Sequence, residues 1–274
     1  MLGNQVRASA LESEAALLRK RFQSAFWCDE ISTYAMALDG QKKKCRIRTS
    51  NAGHCLFTGI ASSDHAYQIA HSLLGKDFYS GWGIRTLASG ESRYNPIPYH
   101  NGSVWPHDNA IIALGFRRYG FGAQAAQIAH DVSVAGSHFL LNQLPELYTA
   151  CERNETNFPV QYIGANVPQA WAAGSAFMLT QALLGFLPDA PRNKLYVDPL
   201  LPAWLPDMTV RNLRIGKHKL DIRFWREDAQ TKFEVIKGEP ELVERCEIAS
   251  KIAQLRRPSD LTRPLSHKLA QGAA

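Results

Sequence analysis

Four kinds of signal are scarce or missing in this sequence. Five cysteines in 274 residues, at 28, 45, 55, 151 and 246, are too few and too scattered for a disulfide framework, and the odd count leaves one over. No CxxC or HExxH spacing occurs, so the adjacent His54 and Cys55 are not expected to form a zinc site, buried thiols are the better account of the cysteines, and no metal or other cofactor is expected. No apolar stretch approaches the ~20 residues of a membrane span, and the N-terminus turns charged too early for a signal core. A cytoplasmic protein without membrane contact is expected. Finally, basic charge is lacking where it would matter. The chain carries +6 overall, yet residues 49–200 hold eight basic against ten acidic groups. Those residues include the densest aromatic motifs, and a phosphate backbone would need the opposite sign there. Nucleic acid is discounted.

What is present is helical periodicity that gives way to alternation. Leu11, Ala15, Leu18, Phe22 and Phe26 fall at helical spacing within 9–27, and a polar hairpin with Asp39-Gly40 as its turn follows. Ser62, Ser63 or Asp64 caps a helix whose stripe is Ala66, Ile69, Ala70, Leu73 and Leu74. Pro106 opens a helix to Tyr119, and a second runs over about 122–141. Pro168 opens a third to Leu184, apolar round most of its circumference and so expected to be buried on all sides. After Pro188 the period becomes 2, with Leu220, Ile222 and Phe224 alternating against Asp221, Arg223 and Trp225. A small antiparallel β-meander packed on the last helices is predicted, then a loose or disordered tail from about 246.

Two long loops between the helices concentrate unusual residues. In Ser80–Asn109, Trp82, Tyr94, Tyr99 and Trp105 lie among Arg85, His100, Asn101 and Asp108. Flat rings beside short hydrogen-bonding side chains suit a sugar, whose C–H face packs on an aromatic while its hydroxyls are bonded. The plainer reading is an inter-helix connection with its aromatics tucked into the core. In Leu144–Trp171 the notable group is Glu146, a carboxylate between Leu144 and Leu147. Partly apolar surroundings can hold a carboxylate at a proton affinity useful to a base. Alternatively it is a solvated helix-end Glu or a partner of Arg153.

The segments SGWGIRTL, YNPIPYHNGSVWPHDNAIIALGFRRYG, LPEL, VPQAWAAGSAF and LYVDPLLPAWLP resemble the C-terminal catalytic region of bacterial glycogen-debranching enzymes of the amylo-α-1,6-glucosidase type. The likeness runs over about residues 10–245. That family belongs to the six-hairpin glycosidases, in which helices alternate as inner and outer rings of an (α/α)6 toroid. The resemblance therefore implies a mainly α fold: residues 1–190 as half of such a toroid, 191–245 as the β-meander, and 246–274 as the tail. It implies hydrolysis of an α-1,6-glucosidic bond with inversion, by an acid and a base ~6.5–9.5 Å apart. The LPEL glutamate, Glu146, takes the place of the general base. Tyr99, His100, Asn101, Trp105 and Asp108 take sugar-contacting places, with Trp82 and Arg85 as weaker ones. An α-glucan or oligosaccharide is the implied partner.

One departure limits this. The family's general-acid aspartate lies upstream in a Gly-Trp-x-Asp-Ser-like loop, and this sequence has no such motif. Twelve helices of ~11 residues with their loops also exceed the length left before the strands. The expectation is half a toroid, holding the base without the acid. It would require an N-terminal half-toroid chain or self-association to cover its inner helices, or else bind sugar without turnover. The same fold acting on an α-mannoside or a trehalose-like disaccharide is the further alternative.

Overall fold

The computed structural model describes residues 4–255, and among these the chain forms seven α-helices and several small sheets. Helix α1, Gln5–Phe26, begins at Asn4, whose side chain accepts the Arg7 N–H at 3.0 Å. Only its end packs: Phe22 and Phe26 stack at 4.7 Å and join the main core, whereas Leu11 and Leu18 of the same expected stripe are exposed. No other described element covers the first two-thirds of that stripe.

Two short pairs follow, β1 (Trp27–Cys28) with β2 (Thr33–Tyr34) and β3 (Ala37–Leu38) with β4 (Lys44–Cys45). The second is the expected hairpin, but Asp39 rather than glycine organises its turn. The Asp39 carboxylate accepts the N–H groups of Gln41 and Lys43, and the left-handed residue is Lys42.

Helix α2, Asn51–Thr58, was not anticipated; α3, Ser63–Leu73, starts as expected on Ser62, whose hydroxyl accepts the His65 N–H. Helix α4, Pro106–Arg118, is the centre of the helical part. It packs against α2, α5 (Gly122–Gly136) and α6 (Ala170–Leu184), and buries Ala110, Ile112, Ala113 and Phe116 completely. Each such large aliphatic or aromatic side chain contributes roughly 1.5–3 kcal/mol. Two glycines make the α2–α4 contact close. A Cβ on Gly53 would lie 2.6 Å from Ile112 Cγ1, and one on Gly115 would lie 2.7 Å from the Phe57 nitrogen.

Two helices differ from the sequence expectation. Helix α5 stops at Gly136 rather than near 141, and Phe139 turns to pack at 5.6 Å from Tyr148. Helix α6 is not buried all round: Leu179, Ala182 and Leu183 face the core, but Phe177 is 80% exposed and Trp171 46%. Its uniform hydrophobicity outruns the partners that the described residues supply.

A second core lies under the strands. One three-stranded sheet runs β10–β6–β5, from Val243–Arg245, Lys194–Val197 and Leu187–Asp189, with β10 parallel to β6. The expected meander is β7 (Asp207–Ile215), β8 (His218–Glu227) and β9 (Gln230–Lys237), antiparallel throughout. Leu220, Ile222 and Phe224 of β8 are fully buried with Leu184 of α6 in one cluster. The register slips between Val210 and Leu213, where Asn212 is left-handed and its N–H is taken by Asp221. Of the tail expected from 246, Ile248–Leu255 is helix α7, and the rest lies outside the described residues.

Candidate active site

The two loops singled out in the sequence are joined to each other. Single antiparallel bridges link Arg85 to Val104, Val104 to Tyr148, and Tyr148 to Gln161, while Thr49 before α2 bridges Leu87. Asn109 locks this assembly onto α4. Its wholly buried amide accepts the Ile84 N–H at 2.7 Å and donates to the carbonyls of Ile84 (3.1 Å) and Trp105 (3.0 Å). The start of α4 is thereby fixed beside both loops.

Glu146 leads the second loop. It is only 2% exposed and accepts three hydrogen bonds, from the Tyr99 hydroxyl at 2.7 Å and from the Asn166 backbone N–H and side-chain amide at 3.2 and 3.1 Å. Burial pushes its proton affinity up, but the bonds from Tyr99 and Asn166, with the nearby Gln169 side chain adding to them, outweigh that and hold its carboxyl below the usual range. The sequence reading is corrected in two respects. Glu146 is not paired with Arg153, whose guanidinium goes to Asp131 at 3.1 Å. Nor is its proton affinity raised on balance: burial raises it, but the donors that stabilise its charged form outweigh that.

Tyr99 carries the connection onward. Its ring meets Trp105 edge-on at 4.9 Å and Tyr162 at 5.6 Å. Trp105 lies 5.9 Å from Trp171, against which His107 stacks at 4.3 Å and 9°. His100 lies parallel to Trp105 at 6.3 Å. Beside this aromatic wall opens a cleft of about 760 Å³, lined in part by His100, Asn101, Trp105, His107, Asp108 and Trp171. The cleft is also lined by Asn51 and His54 of α2 and by Glu91 and Arg93 of the first loop. Among the described residues no group of three or more His, Cys, Asp or Glu side chains is placed to hold a metal ion.

The structure thus brings His100, Asn101, Trp105 and Asp108 to one cleft, with Tyr99 and Glu146 joined to it through Trp105. It does not bring Trp82 or Arg85 there. Trp82 is 3% exposed in a small core with Val104 and Tyr148, under the Arg153 guanidinium at 4.6 Å. Arg85 is 1% exposed and donates to the carbonyls of Ala150 and Lys76, tying loop to loop.

Sequence reasoning missed His54, whose Nε2 lies 2.5 Å from Asp108 Oδ1, as well as His107, Asn166 and Trp171. His54 is held above its usual proton affinity, chiefly by that hydrogen bond, whereas burial pushes His107 below it. No local pattern marks a contact between positions 54 and 108. Only the α2–α4 packing makes it.

Residues 1–144 match the family described as the mannosylglycerate hydrolase MGH1-like glycoside hydrolase domain. The chain belongs to that family. The match takes in His54 and the whole Ser80–Asn109 loop, and it ends two residues before Glu146. The family is one of glycoside hydrolases, which narrows the resemblance drawn from the motifs: glycosidase membership stands, and glycogen debranching is not singled out. Among solved structures, a GH63 mannosylglycerate hydrolase from Thermus thermophilus in complex with glucose is 24% identical over 57% of this chain and 37% of its own, with a TM-score of 0.46. An uncharacterised conserved protein from the same organism is 22% identical over 57% and 36%, with a TM-score of 0.44. The neutral trehalase of Saccharomyces cerevisiae is 16% identical over 62% and 30%, with a TM-score of 0.47. The chain therefore spans about a third of the length of the structures it matches. No curated protein matches it.

Proposed function

We propose that this chain carries the base-bearing side of an inverting α-glycosidase site. Glu146 is the general base, Trp105 and Tyr99 form the face against which a sugar ring packs, and His100, Asn101 and Asp108 meet its hydroxyls. The observation that carries this reading is the Glu146 carboxyl, held below the usual range by donated hydrogen bonds and joined through Tyr99 and Trp105 to an aromatic-walled cleft. An inverting base must be charged before the reaction so that it can take a proton from water. Tyr99 on one oxygen and Asn166 on the other favour that charged form.

The acid is assigned to a segment outside these 274 residues, from a longer polypeptide or a second chain whose helices cover α6. The exposed Phe177 and Trp171 support such a cover, Trp171 because it also lines the cleft. Self-association through the same face is the other way to bury it. No helix among the described residues is long and apolar enough to cross a membrane, and a cytoplasmic location is part of the proposal.

For the bond cleaved, the motifs favour the α-1,6 branch of a glucan. The family match, to a mannosylglycerate-hydrolase-like domain, supports an α-mannoside as a second reading; a trehalose-like disaccharide is the third. A panel of branched maltooligosaccharide, mannosylglycerate and trehalose, assayed by NMR for the anomer first released, separates them. Release of the β-anomer once the acid-bearing segment is supplied, lost by a factor of ~10²–10⁴ in Glu146→Gln, supports the assignment. Unchanged turnover in that variant refutes the role of Glu146, and binding without turnover even with the acid-bearing segment supplied makes the chain a sugar-binding module.

A further inference from the structure

Asp108 has a divided carboxylate. It is 6% exposed, and Oδ1 is taken by His54 Nε2 at 2.5 Å. A carboxylate only accepts, so Nε2 carries the shared hydrogen. The second oxygen, Oδ2, is buried and has no hydrogen-bond partner among the described residues. Leaving a carboxylate oxygen bare in this way is costly, because water is lost and nothing replaces it. Asp108 lines the cleft, and so does His54. His107, on the same first turn of α4, has a buried Nδ1 that is likewise without a partner. Asp108 and His107 both line the cleft and each carries one buried, unmatched polar atom, a pairing that calls for a ligand that offers neighbouring polar hydrogens and lone pairs. A pair of adjacent ring hydroxyls has that chemistry.

We infer that Asp108 Oδ2 accepts a hydrogen bond from one hydroxyl of the bound sugar, that His107 Nδ1 engages its neighbour, and that His54 is the positioning residue that turns Asp108 so that Oδ2 is the free oxygen. The inference deepens the glycosidase reading and rests on it. What it adds is a role for His54 and a division of labour between the two carboxylate oxygens. His54 can hold this position because Gly53 lets α2 approach Ile112 of α4 more closely than a side chain would permit. Oδ1 spent on His54 also fixes the plane of the carboxylate, so a hydroxyl is selected by direction as well as by charge.

The test is titration calorimetry of the protein with methyl α-mannoside, methyl α-glucoside and maltotriose, repeated with ring-deoxy analogues of whichever binds. Asp108→Asn is expected to weaken the parent sugar ~10–100-fold while leaving one particular deoxy analogue almost unchanged, since that analogue lacks the hydroxyl Oδ2 accepts. His54→Ala is expected to reproduce that selective loss, and His54→Gln, which can still donate to Oδ1, to restore part of it. Circular dichroism melts establish that each variant is folded, and His54→Gln keeps the question answerable if His54→Ala is not. Binding by His54→Ala equal to the unmodified protein overturns the positioning role. An Asp108→Asn loss identical for every deoxy analogue overturns the hydroxyl contact. An unmodified protein that binds none of the three sugars overturns the glycosidase reading, and this inference with it.

Discussion

Asn109→Ala removes the clamp that joins the first loop to α4. The side chain is fully buried and makes three hydrogen bonds, one accepted from the Ile84 N–H and two donated to the Ile84 and Trp105 carbonyls. The Trp105 carbonyl would keep a partner, because it also accepts the Asn109 backbone N–H at 3.1 Å. The N–H and C=O of Ile84, itself fully buried, would both be orphaned. At about 1–3 kcal/mol for each orphaned buried group, the expected loss is about 4 kcal/mol. For a chain of this size that corresponds to a melting temperature lower by roughly 8–16 °C. Urea unfolding followed by circular dichroism gives the free energy directly. Asn109→Asp sharpens the test. One oxygen can still accept the Ile84 N–H, but the other then faces two carbonyl oxygens, which only a protonated carboxyl can satisfy. Its folded proton affinity is therefore raised. Stability should be best below the ordinary carboxylate range of about 4 and decline as pH rises through the higher folded value. A loss under about 1 kcal/mol for Asn109→Ala, or an Asn109→Asp variant whose stability is insensitive to pH, would refute the clamp.

Two other consequences are open to measurement. Because Tyr99 helps hold the Glu146 carboxyl below its usual range, Tyr99→Phe should move the acid limb of the pH–kcat/KM profile to higher pH. In the unmodified protein the Glu146 contribution to stability is present above the ordinary carboxylate range and is lost as pH falls through the lower folded value; an acid limb that does not move in the variant removes Tyr99 from the charge balance. Phe177→Ser, on the exposed face of α6, should change folding stability by no more than about 0.5 kcal/mol. It should also reduce any self-association or capture of a covering chain seen by sedimentation velocity, and unaltered association places the interface elsewhere.

Legibility from the sequence followed the range of the interactions involved. Helices α3 and α4 could be read from Ser62, Pro106 and their apolar stripes, because caps and periodicity act within a few residues. The meander was legible for the same reason in Leu220, Ile222 and Phe224. Helix α2 was not, since Asn51–Thr58 is short and leans on α4 through Gly53, which no local pattern reveals.

The candidate site divides along the same line. Sequence alone marked the residue types, a carboxylate in one loop and aromatics with Asn, His and Asp in the other, and motif order attached them to a glycosidase family. It could not say which of them face a cleft. Trp82 and Trp105 look alike in sequence, both aromatic and both near glycine or proline; only the packed chain puts one beneath Arg153 and the other on the cleft wall. The charge state of Glu146 depends on Tyr99 and Asn166, and the free oxygen of Asp108 depends on His54. Those partners lie 47, 20 and 54 positions away along the chain. Hydrogen bonds act over about 3 Å, so at such separations only the fold can bring the groups together.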